Sequence, residues 1–363
     1  MNTVKIIILL SFLPGFHTIS NAQIPDTVKI GFLIADRKSP AAIRGAELAI
    51  IKANEKGGLK GKPFKLVTRS MEGAWGTGSR EATNLIFDEK VIAIVGSHDG
   101  RNAHVVEQVC TKARVVFISA WTGDPTLSQA FVPWFFTCVP NNTQQAELLV
   151  NETYINKKFL HIAVVSDTGY DSELALKYFV RKTQLDGKPR PIQLNYQNGT
   201  DLKKFIEQIG DMKAECIILF ATPSFAGKFV RIAKESKMNL PLYGALSLLD
   251  ENELPDNNLR SFENVILISP GHWFTPEGSS FIMEFKARNG YAPGALAAYA
   301  YDAVILMVDA IRDAGTRYDL IQKSLADAKY NGVTGLVQFD ARGNRKGPFR
   351  LMEIKNGMPV ELR

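Results

Sequence analysis

The sequence contains few cysteines and no long apolar runs. Its 363 residues include three cysteines, Cys110, Cys138 and Cys216. This odd number has no metal-ligand spacing, and a chain of this length can bury on the order of 75% of its unfolded surface without a disulfide or a metal. Each cysteine lies within or beside an apolar stretch, which favours small buried side chains. One disulfide plus one free thiol is the alternative, and the sequence does not choose the pair.

Clustered basic charge is also scarce. The 43 Lys and Arg residues exceed the 37 Asp and Glu residues by six, a modest excess for this length. The densest basic stretch, Arg342–Lys346, is interrupted by Gly343 and Asn344, whereas nucleic-acid-binding proteins usually cluster Lys and Arg. No nucleic-acid partner is therefore expected. With 45% hydrophobic and 22% charged residues, the composition excludes bulk disorder and fibrous folds, and the length favours two domains.

The first 22 residues have the features of a secretory signal. Lys5 is the only charge, Ile6–Leu13 is an apolar run interrupted by Ser11, and the small residues Ser20 and Ala22 fit signal-peptidase cleavage. This run, like every later one, is shorter than the roughly 20 apolar residues that a membrane span needs. No cysteine follows it, so no lipid anchor is expected. The segment predicts a soluble exported protein, and a buried N-terminal strand or helix is the alternative.

Short apolar strand patterns alternate with helical patterns along the chain. Strands are predicted at 28–34, 64–68, 91–95, 115–118, 159–165, 191–196 and 216–220. Helices are predicted at 41–56, 79–88, 102–112, 142–154, 172–185, 202–212 and 225–237. Continuously apolar strands alternating with helices indicate parallel sheets covered on both faces. The sequence therefore predicts an α/β protein with two Rossmann-like lobes.

The C-terminal part interrupts this alternation. Two helical patterns, 279–288 and 294–314, lie between a strand at 265–268 and two further strands at 336–339 and 349–354. This order predicts that the chain returns to the first lobe and leaves it again. The predicted lobes are 23–139 plus 270–334, and 140–269 plus 335–363. Several crossings of this kind produce a hinge and a cleft.

Several motifs, in order, resemble the branched-chain amino-acid-binding family of periplasmic binding proteins, which has the type I fold. The resemblance extends over residues 28–355 and rests on Val28–Gly31, Gly45–Ala49, Asn54, Gly57-Gly58, Gly61-Lys62, Ala93–Ser97, Val115–Ala120 with Pro125, and Tyr170 after Val164–Asp167. It implies a non-catalytic, monomeric periplasmic receptor without cofactor or metal. Such a receptor closes two lobes on a small molecule and presents it to the membrane permease of an ABC importer. A receptor that signals to a partner protein is the alternative.

The loops after the strands are the candidate ligand contacts, because ligands of open α/β sheets bind beyond the carboxyl ends of the strands. Gly96–Asn102 precedes a helix, and its amides are suited to a carboxylate. The family places a hydroxyl residue near the start of this helix. Here that position falls on Gly100, which offers only backbone donors, or on Arg101, which adds a charge or lies on a solvated surface. His98 is either a ligand contact or a satisfied loop histidine.

Aromatic residues in the other loops are the remaining candidates. Ala120, Trp121 and Thr122 fall where the family has small residues and a threonine, so Trp121 either stacks on a ligand or packs under the loop. Trp75, between glycines, is expected to face a ligand or partner. Tyr170 resembles the family's cleft tyrosine of the second lobe.

Two departures from the family concern ligand identity. Leu246 stands where amino-acid-binding members have the acid that holds the ligand ammonium, and Thr222 replaces an aromatic residue. Because an unpaired buried ammonium is costly, either Asp250 or Asp167 substitutes for that acid, or the ligand has no α-ammonium. We therefore expect a carboxylate-bearing ligand with an apolar or aromatic body.

Enzyme signatures are absent from the sequence. Ser97-His98-Asp99 contains the residue types of a catalytic triad, but adjacent residues do not form one, since a triad is assembled from separate segments. Gly76-Thr77-Gly78 lacks the third glycine of a dinucleotide loop, and Gly61-Lys62 lacks the upstream glycine of a phosphate loop. No histidine pair has zinc spacing. The sequence predicts a binding protein rather than an enzyme.

Overall fold

The computed structural model describes residues 25–36, 40–74, 76–129, 132–254 and 259–362. The predicted signal segment, 1–22, and Trp75 lie outside the described residues. Within these ranges no helix has the length and apolar character that crossing a membrane requires.

The first sheet is built from five short strands, all between residues 28 and 137. They are β1 (Val28–Ile34), β2 (Phe64–Ser70), β3 (Ala93–Ser97), β4 (Phe117–Ser119) and β5 (Phe135–Thr137). The order is β2-β1-β3-β4-β5, and every pairing is parallel. The intervening helices are α1 (Pro40–Glu55), α2 (Thr77–Phe87), α3 (Gly100–Ala113) and α4 (Thr126–Gln129). We call this sheet and the helices packed on it the first lobe.

The second sheet has seven strands and forms the second lobe with its helices. Its strands are β6 (Ile162–Ser166), β7 (Ile192–Asn195), β8 (Cys216–Phe220), β9 (Leu242–Gly244), β10 (Val265–Ile268), β13 (Leu351–Lys355) and β14 (Met358–Glu361). The order is β14-β13-β10-β9-β8-β6-β7. The pairings of β13 with β10 and with β14 are antiparallel, and the other pairings are parallel. Its helices are α5 (Asn142–Val150), which continues as a π-helical turn at Asn151–Asn156, α6 (Tyr170–Leu185), α7 (Leu202–Asp211) and α8 (Pro223–Glu235).

Three helices and a hairpin separate β10 from β13. They are α9 (Pro276–Asn289), α10 (Ala295–Ala314), α11 (Tyr318–Ala326) and the antiparallel pair β11 (Lys329–Gly332) and β12 (Gly335–Gln338). Helix α10 packs along α1 at close range, since a Cβ atom on Gly45 would lie 2.1 Å from the Ala297 carbonyl oxygen. The chain thus returns to the first sheet before β13 joins the second. The exact lobe bounds given above stay a prediction.

A buried arginine ties the returning chain together. Arg345 donates to the Cys138 carbonyl at 2.9 Å and to the Thr334 hydroxyl and carbonyl, both at 2.8 Å. Thr334 in turn donates its amide and hydroxyl to the buried Asp302 carboxylate. These bonds join the segment after β5 to the segment between β11 and β12, so they fix the geometry of the hinge.

The predicted α/β architecture with parallel sheets is confirmed, and the second sheet adds an antiparallel edge. The three cysteines are free and buried. Burial raises the pKa of the Cys216 thiol to about 12. The expectation of small buried side chains is therefore correct, and no pair of them forms a disulfide.

Candidate functional site

The N-terminus of α3 is the first element of the site. Asp99 precedes the helix and accepts a hydrogen bond from the Asn102 amide at 2.9 Å, which satisfies one of the free donors of the first turn. The Gly100 amide donates across the cleft to Asp171, at 3.1 Å to Oδ1 and 3.4 Å to Oδ2. Asp171 lies in the first turn of α6. A carboxylate of the second lobe thus occupies the helix terminus where the sequence predicts a ligand carboxylate.

Asp171 is held in an electrostatically unfavourable place. Burial, with the negative charges of Asp99 and Asp124, raises the pKa of its carboxyl to about 7, although the Gly100 amide opposes the shift. The Gly100 amide is the neighbour that favours the charged form of this carboxyl. The carboxylate therefore depends on a backbone amide for its stabilisation.

A second contact between the lobes lies beside the first. The Tyr170 hydroxyl donates to Asp124 Oδ2 at 3.0 Å, and His104 Nε2 lies 3.0 Å from the same oxygen. Burial disfavours the Asp124 carboxylate, but the hydrogen bonds of His104 and Thr126 hold its pKa below the usual value. Burial, with the charge of Asp124, raises the pKa of Tyr170, so its hydroxyl remains a donor. The Arg101 guanidinium lies 6.0 Å from the Tyr170 ring centroid.

A cavity of about 40 Å³ lies behind these contacts, between the two lobes. It is lined by Trp121, Gly123, Asn142, Gln145, Asp171, Ala175, Ala245, Leu246 and Ser247. This volume holds on the order of one water molecule, so the cleft is closed in this structure. Trp121 is half-buried, and its ring packs on Tyr299 with centroids 6.4 Å apart.

Gln145 connects the cavity to the hinge. Its Oε1 accepts from the Leu246 amide at 3.1 Å, and its Nε2 donates to the Pro140 carbonyl at 2.8 Å. The cavity thus brings together Trp121 and Leu246, two of the residues predicted to contact the ligand, and adds Gln145 and Asp171, which sequence reasoning missed. The available signal was that Asp171 follows the candidate Tyr170 at the start of a helix.

Other predicted contacts lie beneath the loops. His98 is buried, its ring stacks on Phe117 at 5.9 Å, and Nδ1 lies 3.2 Å from the Asp99 carbonyl. Burial lowers the pKa of His98. Ala120 and Thr122 are also buried, and the Thr122 amide donates to the Ser119 hydroxyl at 3.2 Å. Whether these residues contact a ligand stays a prediction.

The acids considered as substitutes for Leu246 are engaged elsewhere. Asp167 accepts from the amides of Gly169 at 3.0 Å and Thr222 at 2.7 Å. Asp250 accepts from the Asn252 amide at 3.0 Å. Neither lines the cavity, whereas Asp171 does.

A further carboxylate of the second lobe reaches the start of α10. Glu251 accepts from the amides of Leu296 at 3.2 Å and Ala297 at 3.4 Å. Burial raises the pKa of Glu251 to about 8. The contact adds a third link between the lobes.

The geometry defines a class of protein: two α/β lobes on a hinge of several crossings, closed over a cleft at the carboxyl ends of their strands. Within the described residues no group of three or more His, Cys, Asp or Glu side chains is placed to hold a metal. The model of the periplasmic binding protein family matches residues 27–358, and the chain belongs to that family.

Relatives at low identity match most of the chain. The chain is 22% identical over 323 residues to Leu/Ile/Val-binding protein homolog 2 of Brucella abortus (strain 2308), covering 86% of this chain and 85% of that protein. The structure of the substrate-binding protein LivJ of Streptococcus pneumoniae in complex with isoleucine matches with a TM-score of 0.80 and 22% identity, over 93% of this chain and 100% of that one. A solute-binding protein of R. palustris in complex with benzoate matches with a TM-score of 0.79 and 20% identity, over 93% and 95%.

Proposed function

We propose that the chain is an exported solute-binding protein that captures a small carboxylate-bearing ligand between its lobes. The ligand is then presented to the membrane permease of an ABC importer. The observation that carries this proposal is the cavity at the lobe junction, which residues of both lobes line. The proposal includes that the protein is a monomer and that it binds its ligand without catalysing a reaction.

Two features support a carboxylate with an apolar or aromatic body. The amide of Gly100, at the N-terminus of α3, already holds a carboxylate in the structure, that of Asp171. Trp121 and Leu246 contribute apolar surface to the cavity that Asp171 lines. The ligands of the two related structures, isoleucine and benzoate, both carry a carboxylate.

The mechanism follows from closure. A ligand that contacts both lobes stabilises the closed state over the open one. Because the closed cavity has a volume of only about 40 Å³, the lobes have to open before a ligand enters, and the contacts between them re-form around it. A micromolar affinity would correspond to roughly 8 kcal/mol, shared between a carboxylate anchor and an apolar wall.

A binding screen tests the proposal. The chain without residues 1–22 is screened by thermal shift and calorimetry against leucine, isoleucine, benzoate and aliphatic monocarboxylates. We expect at least one acid to stabilise the protein. The aromatic and aliphatic acids should stabilise it more than leucine does. Stabilisation by leucine alone contradicts the ligand class, and the absence of any acid binding contradicts the carboxylate proposal.

Variants locate the site. Trp121→Ala and Tyr170→Ala should each weaken binding about tenfold or more, since each removes a large contact surface in the cleft. Phe87→Ala is the matched control, because Phe87 is an aromatic residue 61% exposed on α2. Normal binding by both cleft variants would show that the cleft assignment is wrong.

A further inference from the structure

The contact between Asp171 and Gly100 places a carboxylate of the protein where the proposed ligand needs its own. The Asp171 oxygens lie 3.1 and 3.4 Å from the Gly100 nitrogen. We propose that Asp171 is an internal competitor of the ligand carboxylate: in the ligand-free protein it occupies the Gly100 amide and holds the lobes closed, and a carboxylate ligand binds by displacing it. This inference rests on the proposed function, because it concerns the same cleft.

The local sequence fits this contact. A Cβ atom on Gly100 would lie 2.9 Å from Asp171 Oδ1 and 2.9 Å from the Asp124 Cβ atom. Contacts this short require a neighbour to shift, so a glycine at the first position of α3 permits the close approach. Asp171 is in turn near the start of α6, where a helix favours a negative charge. Asp171 thus lies in the first turn of one lobe's helix and accepts from the first amide of the other lobe's helix.

The charges around the contact make the two carboxylates mutually exclusive. Asp99 and Asp124 already surround Asp171 with negative charge, as the raised pKa of its carboxyl shows. A ligand carboxylate on the Gly100 amide would add another negative charge at contact distance, which is unfavourable in a water-poor site. Asp171 has to leave the amide, or take up a proton, when an acid binds there.

Other contacts keep the lobes near each other when Asp171 is removed. The Tyr170 hydroxyl still bonds Asp124, and Gln129 Nε2 donates to the Tyr178 hydroxyl at 3.1 Å. Loss of Asp171 should therefore shift the population toward open lobes without separating them completely.

The first experiment needs no ligand. The native cysteines are buried, so spin labels can be attached to Gln108→Cys on α3 and Gln184→Cys on α6, both exposed positions. We expect a longer mean distance between the labels in Asp171→Asn than in the wild type. Glu173→Gln, which removes an exposed acid of the same helix, should keep the wild-type distance.

A second variant tests the same contact from the other side. Gly100→Ala places a methyl group against Asp171 and should lengthen the distance as well. Unchanged distances in both variants, with circular dichroism that shows folded protein, overturn the proposal.

The affinity for an acid gives the second readout. Calorimetry at pH 8, where Asp171 is mostly ionised, with the best-binding acid of the screen should show at least fivefold tighter binding to Asp171→Asn, and no change for Glu173→Gln. Weaker binding to Asp171→Asn would show that Asp171 instead holds a cationic group of the ligand, and equal binding would show that it does not compete. If no acid binds any variant, the carboxylate function fails, and the label distances alone decide the role of Asp171.

Discussion

A Cβ atom on Gly294 would lie 1.9 Å from Glu251 Oε2. Glycine at this position therefore lets the Glu251 carboxylate reach the N-terminus of α10, where it accepts from the amides of Leu296 and Ala297. Since α10 packs on α1 and Glu251 follows β9 of the second sheet, this pair links the lobes in addition to the contact of Asp171 with Gly100.

Gly294→Ala should destabilise the protein. The added methyl group has to displace a fully buried carboxylate from a helix terminus, and overpacking of this kind costs about 1–3 kcal/mol. Urea unfolding measures the loss. Gly210→Ala in α7 is the control, because a Cβ atom there meets nothing within 4 Å, and alanine should be neutral or slightly stabilising in a helix. An equal effect of the two substitutions would contradict the steric role of Gly294.

The titration of Glu251 should make stability depend on pH. Burial raises its folded-state pKa to about 8, above the usual glutamate pKa of 4.5. The folded protein therefore binds an extra proton between these values, and the stabilisation is lost as the pH rises toward 8. Between pH 5 and pH 8 the free energy of unfolding should fall in both proteins. We expect the fall to be smaller in Glu251→Gln than in the wild type, by on the order of 2–3 kcal/mol. Urea unfolding at both pH values checks this, and parallel profiles would contradict it.

Much of the fold could be predicted from periodicity and apolar runs. Strands β1, β8 and β10 have the predicted bounds, because β8 and β10 are uninterrupted apolar runs and β1 is interrupted only by Lys29 and Gly31. The missed elements are mostly short, such as β5 and β9 with three residues each. A segment of three residues is too short to show the alternation of apolar and polar residues that predicts a strand. These strands form because neighbouring strands of the sheet pair with them.

The site was predictable only where one loop determines it. Trp121 and Leu246 follow strand ends, so the carboxyl-end rule places both at the cleft. The contact of Asp171 with Gly100 joins residues 71 positions apart, and it exists only when the lobes close. His98 illustrates the same limit of sequence analysis. It is buried and stacks on Phe117, and this packing is visible only in the structure.

The cysteines should be unreactive until the protein unfolds. Cys110, Cys138 and Cys216 are buried, and burial raises the pKa of each thiol. Because the thiolate is the reactive form, a thiol reagent should modify none of them in the native protein and all three in denaturant. Mass spectrometry counts the adducts. Fast labelling of the native chain would contradict the burial and would also invalidate the label positions proposed above.

The affinity for an acid ligand should rise as the pH falls from 8 to 6. Asp171, with a pKa of about 7, is mostly ionised at pH 8 and mostly protonated at pH 6, so competition for the Gly100 amide weakens while a ligand carboxylate remains charged. If only the protonated form admits the ligand, the affinity rises about tenfold. Calorimetry at both pH values measures it.

Variants separate Asp171 from the other groups that face it. These groups are Asp99, Asp124, Tyr170 and Arg101, with His104 bonded to Asp124. The hydrogen bond to Asp124 raises the pKa of His104, and burial only partly opposes this shift. Protonation of His104 at low pH therefore also reduces the negative charge of the cleft. Asp171→Asn should lose most of the pH dependence, and His104→Gln should retain most of it. The reverse pattern would assign the dependence to His104.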